Sequence, residues 1–116
     1  MIDYKEVTLG LFWFTIAHIV VWFQLNGQFL WPWFKKNEWI VAASGAIISF
    51  FYIWGTKHAV TGFGGLLWPN RFLGFSIGIL VYGIFVGIFF NEGITIKTLV
   101  SLLLCVLLIA IQVFWK

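Results

Sequence analysis

The chain of 116 residues is 62 % hydrophobic and only 9 % charged. Soluble domains carry about a quarter charged residues, so this composition excludes a water-soluble fold and predicts that lipid covers most of the surface. The seven Lys and Arg give a formal net charge of +3 and are scattered without a basic stripe, which excludes nucleic-acid binding.

Four apolar segments follow one another along the chain, each close to the roughly 20 residues that a helix needs to cross hydrocarbon about 30 Å thick. Their predicted bounds are 8–30, 39–55, 72–90 and 98–115. A spanning segment must satisfy its own backbone hydrogen bonds, so helices are predicted instead of lone strands. We therefore expect an all-α integral membrane protein with one domain, residues 1–116, folded as a compact bundle of four transmembrane helices.

The first segment contains His18 in the middle of the apolar run "FTIAHIVVWFQ". A charged ring is costly there, whereas a neutral ring is tolerated with a hydrogen-bond partner. Thr15 and Trp22 share its helix face at i−3 and i+4, and Tyr52 and Tyr82 are partners available from other segments. Two interpretations stay open: a substrate- or proton-binding site inside the bundle, or a neutral histidine that bridges two helices by one hydrogen bond.

Side-chain amides follow at the end of the first segment, in "FQLNGQF". Gln24 and Gln28 are one helical turn apart and share a face. They either line a polar vestibule above His18 or simply mark the end of the hydrocarbon zone.

The links between the segments differ in character. "WPWFKKNE" (31–38) has a proline that stops the first helix and aromatic residues at headgroup depth, and "NEGITIK" (91–97) is a tight turn. "TKHAVTGFGGLLWPNR" (56–71) is glycine-rich but apolar, which predicts a segment held against the membrane or folded partly back into it. In this link we expect His58 to be solvated at a helix end. Arg71 either snorkels to a lipid phosphate or binds an anionic group of a ligand or lipid.

The basic residues give almost no orientation bias. Four spans place both termini and the 56–71 link on one side, and the two sides then carry four and three cations: Lys5, Lys57, Arg71 and Lys116 against Lys35, Lys36 and Lys97. The default under the positive-inside rule is a plasma or inner membrane with both termini in the cytoplasm. Alternatively, the chain inserts both ways and pairs as an antiparallel homodimer.

The third segment contains two small-residue pairs, Gly74–Gly78 and Gly83–Gly87. At 100° per residue the pairs fall on roughly opposite faces, so close helix neighbours are expected on both sides.

On the fourth segment, Ser101, Cys105 and Gln112 form one stripe, which predicts a helix–helix seam. Cys105 is the single cysteine, so it cannot form an internal disulfide and has no cysteine partner for a metal site. No metal and no cofactor is predicted.

The second half of the chain, "GILVYGIFVGIFFNEGITIKTLVSLLLCVLLIAIQ" (78–112), resembles the last two helices of the small multidrug resistance proteins, which belong to the drug/metabolite transporter superfamily. In "LGLFWFTIAHIV", His18 stands where that family has its membrane-embedded glutamate, so attraction for cationic drugs is not carried over. The resemblance implies a dimer, antiparallel or face to face, whose first three helices line a cavity, with the last at the dimer seam. It also implies alternating access with an ionisable group shared by proton and substrate.

These observations predict a small transporter for a polar, amphipathic or lipid-linked solute. His18 would be its gated proton-binding or hydrogen-bonding group, with the first-segment amides and Arg71 as ligand contacts. Membrane lipids and a second copy are the expected partners. The alternative is a non-transporting accessory subunit that docks on a larger membrane complex. An enzyme is not expected, because one buried histidine without a nearby carboxylate supplies no nucleophile, base and orienting group.

Overall fold

The computed structural model describes residues 2–115, so Met1 and Lys116, the ends of the predicted domain, lie outside the described residues. Within this range the fold is all-helical, without a strand: α1 (Tyr4–Asn26), a 3₁₀ turn (Gly27–Phe29), α2 (Pro32–Lys36), α3 (Glu38–Ala43), α4 (Gly45–Gly62), α5 (Leu67–Phe90) and α6 (Ile96–Phe114). Four helical stretches are long and apolar enough to cross a membrane: Tyr4–Phe29, Glu38–Gly62, Leu67–Phe90 and Ile96–Phe114. The prediction of four such helices is confirmed.

Local sequence accounts for the helix boundaries. The Asp3 carboxylate caps α1 by accepting hydrogen bonds from the backbone N–H groups of Lys5 and Glu6, at 3.1 and 3.3 Å. Thr95 caps α6 in the same way through the N–H of Thr98, at 3.2 Å. The α5 helix ends at Phe90, and the next residue, Asn91, has the left-handed conformation, which asparagine tolerates.

The second spanning stretch is interrupted at Ser44, between α3 and α4. Two side chains donate hydrogen bonds to the carbonyl of Val41 at this point: the Ser44 hydroxyl at 2.5 Å and the Gln24 amide at 3.1 Å. Side-chain donors that compete for a helix carbonyl, and Ser–Gly pairs such as Ser44–Gly45, are common sites of irregular helix geometry.

The link between the second and third spanning stretches is much shorter than predicted. The α4 helix continues to Gly62 and α5 begins at Leu67, which leaves only residues 63–66 outside helices. Gly64 and Gly65 make this turn with φ of 68° and 89°, values that few other residues adopt. The predicted surface-bound or folded-back segment 56–71 is therefore wrong. Packing explains the difference, because Ala59 and Gly62 lie against α1 and this contact extends the helix.

The helices form a flat arrangement of 48 × 36 × 18 Å. The α1 helix packs against both α4 and α5, α4 and α5 have little direct contact, and α6 packs mainly against α5. The prediction of a compact bundle is therefore too simple, since the helices lie in the order α4, α1, α5, α6. The core cluster lies near the start of α1 and consists of Val7, Phe14, Ala59, Phe63 and Leu73.

Small residues bring α1 and α4 close together. A Cβ at Gly10 would lie 2.9 Å from the Cβ of Ala59, and a Cβ at Gly55 would lie 2.7 Å from the ring of Phe14. These positions allow the close backbone approach that stabilises helix pairs in lipid, where little hydrophobic driving force between helices remains. The α1–α4 pair is consequently the best packed in the molecule.

The two glycine pairs of α5 lie on different faces. Gly78 packs on the His18 ring of α1, with Gly74 near Phe14, whereas Gly83 faces Leu102 of α6 and Gly87 has open space around it. In the predicted α6 stripe, Cys105 is buried, Gln112 is partly buried and Ser101 is exposed with its hydroxyl bonded to the Lys97 carbonyl. Both helix neighbours of α5 are thus present, although Gly87 and Ser101 take no part in the contacts.

Candidate functional site

His18 and Tyr52 form a pair between α1 and α4 in the half-buried middle of the fold. Tyr52 Oη lies 3.2 Å from His18 Nδ1, and the two rings meet edge to face with centroids 5.3 Å apart. In the neutral ring with its proton on Nε2, the tyrosine hydroxyl donates to Nδ1. This contact meets the expectation that Tyr52 supplies a hydrogen bond to His18.

The other ring nitrogen of His18 is left without a partner. Nε2 is buried and makes no hydrogen bond within residues 2–115. The ring rests on the backbone of α5, since a Cβ at Gly78 would lie only 2.7 Å from ring carbon Cε1. An unpaired buried polar atom costs roughly 1–3 kcal/mol. A polar group of a ligand that reaches Nε2 would remove that cost.

A cavity of about 460 Å³ lies in front of His18, between α4 and α5 with α1 behind it, and it is partly open on one side. We call it the His18 groove. Its polar lining residues are His18, Tyr52, Thr56, Asn70, Arg71 and Tyr82, and its apolar ones are Phe14, Gly74, Phe75, Gly78 and Ile79. A volume of this size is typical of small-molecule sites, which also combine an apolar wall with a few polar groups.

The polar residues of the groove extend along α5 from its first turns towards its middle. Asn70 and Arg71 lie close to the start of the helix, and Tyr82 lies 11 residues after Arg71. At 1.5 Å per residue this is a distance of about 16 Å, close to half the hydrocarbon thickness. The groove therefore connects the helix ends near the α4–α5 link with the level of His18.

Four of the sequence-predicted site residues are brought together in this groove: His18, Tyr52, Arg71 and Tyr82. Thr15 does not line it and donates its hydroxyl hydrogen bond to the Leu11 carbonyl at 2.7 Å. Trp22 is 2 % exposed and packs among Phe85, Phe89 and Phe90. This tryptophan belongs to the α1–α5 contact.

Gln24 and Gln28 lie in a different place from the predicted vestibule. They line a second cleft of about 340 Å³ with Glu38, Phe34 and other residues of α2 and α3. The Gln24 amide bonds to Val41 and Ser44, and the Gln28 amide donates to the Leu25 carbonyl at 2.7 Å. The structure does not bring these amides together with His18.

Sequence reasoning missed Thr56 and Asn70 as groove residues. Both fall in the 56–71 link, for which the sequence predicts a segment held against the membrane or folded partly back into it. Asn70 in "WPNR" has the ordinary signature of a helix start. The Oδ1 atom of Asn70 is buried without a hydrogen-bond partner among the described residues. The signal that could have found both is the apolar character of the link, which is typical of a helix.

The expectation of a merely solvated His58 is also wrong. Its Nδ1 lies 2.6 Å from Oε2 of Glu6, and the side chains are 27 % and 26 % exposed. Glu6 and His58 are 52 residues apart in sequence, and the pair joins α1 to α4 at the end of the molecule where the α4–α5 link lies. Glu6 is thereby engaged by His58.

The His18 groove thus combines an imidazole, two phenols, an amide, a hydroxyl and a guanidinium, and within residues 2–115 its lining contains no carboxylate. Groups of these kinds are able to hydrogen-bond a polar or anionic part of a ligand, and the apolar wall offers contact to a hydrocarbon part. Comparisons with protein-family models, with curated proteins and with solved structures find no match to the chain. The resemblance of residues 78–112 to the small multidrug resistance proteins therefore stays a prediction.

Proposed function

We propose that the chain is a small membrane transporter that binds an amphipathic or lipid-linked solute in the His18 groove. The polar part of the solute would move between the helix ends near Arg71 and the level of His18. The observation that carries this proposal is the groove itself, whose polar residues extend over about 16 Å of α5 beside an apolar wall. A purely polar solute fits less well, because the groove is partly open at its side, where lipid would contact it.

Complete passage requires the groove to open towards the other side of the membrane as well. The packing favours a motion between α4 and α5, which have little direct contact with each other. In contrast, α1 and α4 are held by the small residues Gly10 and Gly55 and by the Glu6–His58 pair. We therefore propose that α1 and α4 move as one unit relative to α5, with His18 at their boundary.

The test is movement of fluorescent lipids in liposomes that contain the purified protein. One probe is phosphatidylglycerol with a nitrobenzoxadiazole group on an acyl chain and the other is the equally labelled phosphatidylcholine; dithionite quenches the probe in the outer leaflet. We expect the native protein to expose inner-leaflet probe to dithionite, and His18→Ala to slow this exposure at least tenfold. Thr15→Ala is the matched control, since Thr15 lies on the same helix as His18, outside the groove lining, and its hydroxyl bonds to the Leu11 carbonyl; this variant should keep most of the native rate.

Equal rates for His18→Ala and Thr15→Ala would contradict the role of His18, and no acceleration of either probe by the native protein would contradict transport of amphiphiles. The second candidate, an accessory subunit, is favoured by α6: Cys105 is the one buried residue among the described residues of this helix, so most of the helix surface is left uncovered. That alternative predicts an inactive purified protein and a stable complex with a larger membrane protein in mild detergent.

A further inference from the structure

We infer, building on the proposed function, that the solute of the His18 groove is an anionic amphiphile. Its acidic headgroup would bind the Arg71 guanidinium at the start of α5, and its hydrocarbon chain would lie along Phe75 and Ile79. Two features of one face of α5 point to this class of solute. Arg71 supplies a cation without a competing carboxylate among the described residues, and an exposed apolar stripe lies next to it on the same helix face.

The four acidic residues of the chain lie far from Arg71 or are engaged elsewhere. Glu38 and Glu92 lie at the opposite ends of the spanning helices, near the 31–37 and 91–95 links. On the Arg71 side, the Asp3 carboxylate accepts the backbone hydrogen bonds that cap α1, and Glu6 pairs with His58 at 2.6 Å. Within residues 2–115 no carboxylate forms an ion pair with Arg71. Its charge is therefore available to a ligand.

The surroundings of Arg71 also favour an anion. A guanidinium presents planar paired donors that match carboxylate and phosphate oxygens. The start of α5, a helix of 24 residues, adds the positive end of its dipole. The neighbouring Asn70 is half-buried with an unpartnered Oδ1 among the described residues, and rotation of its amide would present Nδ2 as a further donor to the same oxygens.

The apolar half of the solute has a matching surface. Arg71, Phe75 and Ile79 are spaced by four residues and so form one stripe on α5. Phe75 and Ile79 are 49 % and 37 % exposed although they line the groove. The stripe extends about 12 Å from Arg71 to Ile79. An alkyl chain that enters from the lipid side would lie along it with the headgroup at the helix end.

The first experiment measures binding of dodecyl phosphate to the full-length protein in maltoside micelles by microscale thermophoresis. We expect dodecyl phosphate to bind more tightly than dodecylphosphocholine and dodecyltrimethylammonium, and inorganic phosphate to bind weakest because it lacks the chain. Arg71→Gln should weaken dodecyl phosphate binding at least tenfold. Lys57→Gln is the matched control: Lys57 is an exposed cation on the same side that does not line the groove, and its loss should leave the affinity unchanged.

The second experiment fills the groove without changing any charge. A Cβ at Gly74 would meet its nearest atoms at 3.9 Å, which is ordinary contact, so the backbone there accepts a side chain, and Gly74→Leu places that side chain at the groove lining. Gly87→Leu makes the same change on the same helix where a Cβ meets nothing within 4 Å. We expect Gly74→Leu to abolish dodecyl phosphate binding and Gly87→Leu to preserve it.

Dodecyl phosphate affinities that are equal in Arg71→Gln and Lys57→Gln, or in Gly74→Leu and Gly87→Leu, would overturn the inference. So would tighter binding of the cationic amphiphile, or inorganic phosphate binding as tight as dodecyl phosphate. If these results appear while lipid movement still depends on His18, the proposed transporter stands and only its anionic specificity is lost. If no amphiphile binds and no lipid moves, both proposals are lost together.

Discussion

His18 keeps its place in an apolar helix because another helix supplies a hydrogen-bonding partner. Tyr52 Oη reaches Nδ1 at 3.2 Å, while the absence of a side chain at Gly78 lets the ring lie against α5. Of the two ring nitrogens, Nδ1 thus has a hydrogen-bond partner within the described part of the chain and Nε2 has none. The single bond to Tyr52 is what a histidine that bridges two helices requires, and the unpartnered Nε2 is what a ligand-binding site would use, so both interpretations of His18 remain open.

Tyr52→Phe tests the contact at this scale. It removes the hydroxyl and leaves both nitrogens of His18 without protein partners, so we expect a loss of roughly 0.5–1.5 kcal/mol in the free energy of unfolding. The measurement is equilibrium unfolding in detergent, followed by circular dichroism. Tyr82→Phe removes a hydroxyl from the same groove that makes no hydrogen bond with His18, and it should be nearly neutral. Equal losses in the two variants would argue against the His18–Tyr52 bond.

At the scale of helices, α1 is the central element because its small and aromatic residues meet both neighbours. Gly10 meets Ala59 of α4, Phe14 covers Gly55 of the same helix, and His18 covers Gly78 of α5. The Glu6–His58 pair closes the α1–α4 contact at one end, and the Gln24 amide braces the α3–α4 break at the other. Two long helices are thereby joined along nearly their whole length, which is the basis of the proposal that they move as one unit relative to α5.

Gly10→Leu should disrupt this unit. The new Cβ would lie 2.9–3.1 Å from the Cβ, N and Cα atoms of Ala59, and backbone atoms yield only if the helices separate. Overpacking of this kind typically costs about 1–3 kcal/mol. The check is a lower unfolding midpoint in detergent, compared with Gly87→Leu, whose site is open. A midpoint unchanged from the native protein would show that the α1–α4 approach is looser than described.

At the scale of the whole molecule, four apolar helices lie in a flat layer whose outer surface is rich in large apolar side chains. Water would make this surface unfavourable, whereas lipid covers it without penalty. The nearly equal division of cations between the two sides leaves orientation weakly specified. The antiparallel form of the predicted homodimer depends on that orientation.

Single-cysteine labelling measures both the number of crossings and the orientation. In a Cys105→Ser background, Lys36→Cys and Glu92→Cys should react with an impermeant maleimide from one side, and Lys57→Cys and Leu66→Cys from the other. Partial labelling of every position from both sides would indicate dual insertion and support antiparallel pairing. Lys36 and Leu66 reacting exclusively from the same side would contradict the four crossings.

The sequence determined the elements of this protein, and the tertiary structure decided how they combine. Apolar runs of spanning length require helices in lipid, because each segment must satisfy its own backbone, so four helices and the central His18 could be read from residue types alone. Helical periodicity also brings residues of one helix to a common face, as for Gly74 and Gly78 against α1. It does not show which neighbour covers that face.

For this reason the groove could be predicted only in part. Thr56 lines the groove because α4, packed on α1 through Ala59 and Gly62, continues to Gly62, and Asn70 lines it because α5 already begins at Leu67. The apolar character of the link indicates helix at both positions, but it does not show that the two helices line the same space. Gln24 and Gln28 do not line the His18 groove, because they face the separate cleft that is formed with α2 and α3. The Glu6–His58 pair, 52 residues apart in sequence, likewise exists only once α1 and α4 are packed. Side-chain periodicity is a property of one helix, whereas a binding site is a property of the space between several.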